Sequence, residues 1–183
     1  EFDEAAAMAH TGHAAVEAGC PGVGCPGSAS RVFAPKSSDQ SDQSDRSDRS
    51  DRSDAPRPSA LRHWPVQLHL ISPLAPQYQG ADVLIAADCT AFSFGAFHET
   101  LLKDHALIIA CPKLDDTGEY VTKLAALLVQ AKPCSVTIAR MEVPCCSGLT
   151  RLVKQARSMA QSDIPITEVI LSIEGKILAE AAC

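Results

Sequence analysis

The stretch Asp82-Val83-Leu84-Ile85-Ala86-Ala87-Asp88-Cys89 decides how the rest of the chain is read. Five apolar residues run without interruption between two aspartates. The run is too short for a helix, and it lacks the alternation of a strand with one wet face. A strand buried on both faces fits it, and such strands belong to parallel sheets covered by helices. The same pattern returns in His105-Ala106-Leu107-Ile108-Ile109-Ala110-Cys111.

Outward from these two runs, further strands are predicted over VQLHLI (66–71), CSVTIARMEV (134–143) and ITEVILSI (166–173). After the turn at Glu174-Gly175, KILAE forms a short last strand. Helical spacing appears over 94–103, where Phe94, Phe97, Leu101 and Leu102 share a face. A second helix is predicted over 115–131, with Asp115 or Asp116 as its cap and Lys132-Pro133 beyond its end. A third covers 147–161, with Ser147 as cap. Strands alternating with helices predict an α/β fold, a three-layer Rossmann-like domain with a mostly parallel sheet.

This domain is predicted over 61–183. Before it, residues 36–60 are expected to be a disordered linker built on the Ser-Asp-Gln and Ser-Asp-Arg repeat of 38–54, which has no apolar side chain with which to offset ordering entropy. Residues 1–35 are expected to hold a short helix and the loop CPGVGCPGS (20–28). The first ten residues have neither a basic n-region nor an apolar h-region, so no secretory signal is expected. A reducing, cytoplasmic compartment follows as the expectation. The net charge of −6, with no basic stripe, excludes phosphate-neutralising nucleic-acid binding. No apolar run approaches the ~20 residues of a membrane span.

The eight cysteines carry the chemistry. Cys89 and Cys111 end the two buried runs, and Cys145-Cys146 follow the strand of 134–143. In a parallel sheet all carboxyl ends share one edge, where ligands bind. Cys89, Cys111, Cys145 and Cys146 are therefore expected to gather there as a cofactor or metal site. Thiolate sets of this kind select iron–sulfur clusters such as [4Fe–4S], and less readily zinc, whose usual C-x₂₋₄-C knuckle is missing at these strand ends. Cys20 and Cys25 could close over the same rim or form a labile pair with each other. Cys134 is expected in the core, and Cys183 in a free tail.

Cys145 to Arg151 also spells C-x-x-G-x-x-R between a strand and a helix. That outline suits a cysteine-dependent phosphatase, with Cys145 as nucleophile, Arg151 as anion clamp, and Asp115 or Asp116 as general acid. A third alternative is a non-catalytic docking domain with buried thiols. His98 and Lys113 are weaker site candidates. His10, His13, His63 and His69 form no metal spacing.

WPVQL, QGADVLIAADC, FHETLLK, ACPKLDD, MEVPCCSGL and SIEGKIL, over residues 61–178, resemble the C-terminal region of bacterial ferredoxin-like 4Fe–4S binding proteins, which occur in anaerobes. GCPGS (24–28) is similar to a loop of the same family. Their N-terminal dicluster ferredoxin domain, with its C-x-x-C-x-x-C runs, is missing from these 183 residues, and the chain is expected to begin just after it. The resemblance implies an accessory domain of an electron-transfer protein rather than an enzyme. Its partner would be the missing ferredoxin domain or another redox protein, with no nucleic acid and no membrane involved.

Overall fold

A computed structural model describes residues 30–33 and 58–183. The expected N-terminal helix, the Cys20/Cys25 loop and the Ser-Asp repeat lie outside the described residues. The strands are β1 (Arg31–Val32), β2 (His63–Trp64), β3 (Asp82–Ala87), β4 (Ala106–Ala110), β5 (Ser135–Met141), β6 (Ile166–Leu171) and β7 (Ile177–Ala182). The helices are α1 (Thr90–Ser93), α2 (Tyr120–Gln130) and α3 (Ser147–Ala160), with a π-helical stretch over Phe97–Leu102.

The main sheet runs β4-β3-β5-β6-β7. β3 pairs parallel with both β4 and β5, and β6 is parallel to β5. Only β7 runs antiparallel, as a hairpin with β6. This is the predicted α/β, Rossmann-like architecture. The uninterrupted run that opened the sequence sits at the centre of the parallel part, and Val83 to Ala87 are all buried. β6 alternates instead, and β7 at the open edge is exposed throughout. β1 and β2 form a separate antiparallel pair.

Connection direction fixes which face each helix covers. The chain steps from β3 to β4 in one direction along the sheet, then from β4 across β3 to β5 in the other. With right-handed crossovers, these two connections lie on opposite faces. The steps β4 to β5 and β5 to β6 share a direction, so α2 and α3 lie on one face, and they pack against each other.

Several local predictions are corrected. VQLHLI is not a strand. Gln67 alone bridges Ile109, held by Leu68 N–H to Ile109 O (2.9 Å) and Ile109 N–H to Val66 O (2.8 Å). The chain then turns, with Leu70 N–H donating to Gln67 O. The helix predicted over 94–103 forms only as the π-helical stretch from Phe97, separated from α1 before it, because Phe94 is extended and Gly95 follows. Phe97, Leu101 and Leu102 are buried all the same. The second helix starts at Tyr120 rather than 115. Cys134 is exposed rather than core. Cys183 is no free tail: its N–H donates to Ile166 O (2.9 Å) and its carbonyl accepts from Arg157 (2.9 Å).

Candidate functional site

The carboxyl ends of β3, β4 and β5 meet one edge of the sheet, as parallel pairing requires. The connection after β3 leaves to one face and the helix after β5 to the other. A crevice therefore opens between β3 and β5, the position where open α/β sheets hold their ligands. Cys89 stands on one side of it and Pro144-Cys145-Cys146 on the other.

Cys89 lies in the turn into α1. The Thr90 hydroxyl donates to Ala87 O (2.8 Å) and the Ser93 hydroxyl to Cys89 O (2.9 Å). Ser93 also reaches the Met141 sulfur at 3.1 Å, which ties α1 to the end of β5. On the other side, Pro144–Cys146 form one turn of 3₁₀-helix that runs directly into α3. Cys145 is exposed and Cys146 is buried. Burial pushes the Cys146 thiol up, against a backbone hydrogen bond at Met141; the neighbouring Cys145 and the charge of Cys89 raise it further. Cys145 and Cys89 are both near enough to Cys146 to act on its thiol.

Three features shape the walls. A Cβ on Gly148 would sit 3.0 Å from Pro112 Cβ, so α3 begins pressed against the loop after β4. Gly175, at φ +80°, turns the β6–β7 hairpin so closely over α1 that a Cβ there would collide with Ser93 O. Glu142 accepts Ile173 N–H at 2.9 Å, fastening that hairpin to the end of β5. Deeper in, Glu168 on β6 accepts from Arg140 (2.6 Å) and from the Thr150 hydroxyl (2.5 Å). Burial alone would raise the Glu168 carboxyl. Thr150 and Arg140 outweigh it and hold the group below the usual carboxylate range.

Cys111 directly follows β4. Its N–H donates to Asp115 Oδ2 (2.8 Å), which also accepts the Tyr120 hydroxyl (2.6 Å). Burial, this hydrogen bond and the nearby carboxylates raise the Tyr120 phenol. Asp88, beside Cys89 in sequence, is raised by burial first and by Asp115 second, with Gln67 working the other way. Its Oδ1 is buried without a hydrogen-bond partner. Neither Asp88 nor Tyr120 was expected at the site. The available signal was an aspartate ending an otherwise apolar buried run.

The residues 75–182 match a family described as a Rossmann-like domain. The chain belongs to this Rossmann-like family. An uncharacterized protein of Archaeoglobus fulgidus is 28% identical over 117 residues, covering 64% of this chain and 82% of the relative. No solved structure matches.

Within this Rossmann-like domain, Cys146 feels both Cys145 and Cys89, while at Cys111 it is the backbone N–H that is held, by Asp115. Among the described residues, no group of three or more His, Cys, Asp or Glu side chains is arranged to hold a metal ion. The phosphatase outline fares no better. An anion cradle needs free amides after the cysteine, but Cys146 N–H donates to Val143 O and Ser147 N–H to Pro144 O. Arg151 is exposed on α3. Asp115 is engaged by Cys111 and Tyr120, and Asp116 by Gly118 N–H (3.1 Å). Among the described residues no helix is long and apolar enough to cross a membrane.

Proposed function

We propose that this domain is an accessory module of an electron-transfer protein, and that its redox centre is the thiol group at the β3–β5 crevice. The observation that carries this is the placement of the exposed Cys89 and the buried Cys146 just past the carboxyl ends of the adjacent parallel strands β3 and β5. Among the described residues no three such side chains are arranged to hold a metal ion, so no step is routed through an iron–sulfur cluster or zinc ion at Cys89, Cys111, Cys145 and Cys146. The thiols suffice for two-electron chemistry.

Cys89 and Cys146 are the pair. Adjacent Cα atoms stand ~3.8 Å apart, shorter than an unstrained disulfide tolerates, which disfavours a Cys145–Cys146 bridge. The Cys89 thiolate attacks a disulfide of the partner protein and displaces one partner sulfur as thiolate. Cys146, losing its proton to solvent, then attacks Cys89 Sγ in the mixed disulfide and displaces the second. The domain loses two electrons and two protons, and the partner disulfide gains them. Large apolar side chains at the same edge, Phe92 (93% exposed), Leu114 (83%) and Ile173 (69%), supply a surface for that partner.

Anaerobically purified protein, treated with a small-molecule disulfide and mapped by peptide mass, tests this. A Cys89–Cys146 cross-link, replaced by a stable mixed disulfide at Cys89 in the Cys146→Ser variant, is the expected result. Stoichiometric iron and acid-labile sulfide lost in both Cys89→Ser and Cys145→Ser would replace the thiol pair by a cluster. If neither a cross-link nor metal is found, the domain is a docking module whose thiols do no redox work.

A further inference from the structure

A second site lies at the opposite, amino edge of the sheet. A cavity of about 190 Å³ opens between β1, β2 and the start of β4, lined by Val32, Arg62, His63, Gln77, Asp104 and Ala106 among others. Its volume equals that of about six liquid waters, or of a short organic acid.

Two side chains that line it carry unpartnered polar atoms. His63 is only 2% exposed. Its Nε2 accepts the Leu107 N–H at 2.9 Å. A ring accepting at Nε2 is neutral and carries its proton at Nδ1. Burial lowers the His63 imidazole and keeps that neutral form in place, against a contact with the Pro65 carbonyl. The Nδ1 atom is buried, and its approach to the Pro65 carbonyl makes no hydrogen bond of acceptable geometry. Gln77 spends Oε1 on the Ser30 hydroxyl (3.2 Å). Its Nε2 is likewise buried and unpartnered. The Gln77 side chain bears on the Tyr78 phenol, but no hydrogen bond of acceptable geometry forms at Nε2. Buried donors left unmade are costly, and native structures rarely keep two beside one cavity without an acceptor.

We propose that this cavity binds a short aliphatic carboxylate. Its two oxygens would accept from His63 Nδ1–H and Gln77 Nε2–H. Its alkyl part would lie against Val32 and Ala106. Arg62, which also lines the cavity, holds Asp104 Oδ1 through NH2 at 2.9 Å, so the Asp104 charge beside the site is offset. This site is separate from the thiol crevice, so the two stand or fall independently.

The test is a titration of the full chain with sodium propionate at constant ionic strength, with sodium chloride as control. The His63 ring nitrogens are followed by long-range ¹H–¹⁵N NMR. A saturable shift of Nδ1 is expected with propionate and not with chloride. Gln77→Leu should weaken binding about ten-fold, the scale of one lost hydrogen bond in a dry site. Val32→Trp, which fills the cavity from its exposed side, should abolish it while leaving the His63 Nε2 signal native-like. A shift that fails to saturate, that chloride reproduces, or that survives both substitutions would mean the cavity holds only water, and would overturn the proposal.

Discussion

Cys134 and Cys146 flank the same strand and differ in nearly every other respect. Cys134 precedes β5 at the amino edge of the sheet. It is exposed, and its thiol is spent on the Gly80 carbonyl at 3.0 Å. Cys146 follows β5 at the carboxyl edge. It is buried, raised by that burial, and surrounded by other sulfur. The difference shows that position along a parallel strand separates an occupied thiol from a poised one. At the amino edge, the loop before β3 supplies a backbone acceptor. At the carboxyl edge, connections diverge to opposite faces and leave side chains facing a gap.

Substitutions can break or sharpen this contrast. The largest effect is expected from Gly175→Ala, which adds a Cβ at φ +80° against the Ser93 carbonyl. Urea unfolding should show a loss of about 3 kcal/mol, and Cys89 alkylation should accelerate as the hairpin lifts from α1. An unchanged midpoint would mean the carboxyl edge is not closed in this way.

Cys146→Ser should cost about 2 kcal/mol, because a hydroxyl enters a buried site, whereas Cys134→Ser should stay within about 0.5 kcal/mol. Equal costs for the two would erase the distinction between the edges. Alkylation sharpens it further. Cys134, Cys89 and Cys145 should react first with iodoacetamide. Cys146 should follow more slowly and gain rate only at higher pH, since its thiolate forms later than that of an ordinary thiol.

The smallest effect concerns the support beneath α3. The folded Glu168 carboxyl sits below its unfolded value, so it stabilises the fold above the unfolded pKa, and that contribution fades as pH falls through the folded pKa. Glu168→Gln should cost about 1 kcal/mol at neutral pH and nothing in acid, which paired unfolding curves at the two pH values would reveal. A cost that persists in acid would point to packing rather than charge.

The parallel core could be read directly, because β3 and β4 are continuous apolar runs and burial on both faces writes itself into composition. The edges were harder. Val66 and Leu68 are buried as a strand would have them, but Pro65 and Pro73 bracket a segment that makes one bridge and turns. Cys134 reads as apolar, yet its burial depended on which loop passes it. The convergence of Cys89 with Cys146 followed from parallel topology. The hold on the Cys111 backbone did not, because it rests on the carboxylate of Asp115, four residues on, turning back to its N–H. His63, which forms no metal spacing in the sequence, turned out to line the amino-edge cavity for a similar reason: its significance lies in an unpartnered nitrogen, which no spacing reveals.

The sequence by itself determined the fold class and put cysteines at three strand ends, since hydrophobic period and strand direction are local properties of the chain. Only the tertiary structure decided which thiols meet, which amides are already spent, and where buried donors lack acceptors. Those outcomes depend on strand order and on how the connecting loops turn, and both are set by contacts between residues far apart in the sequence.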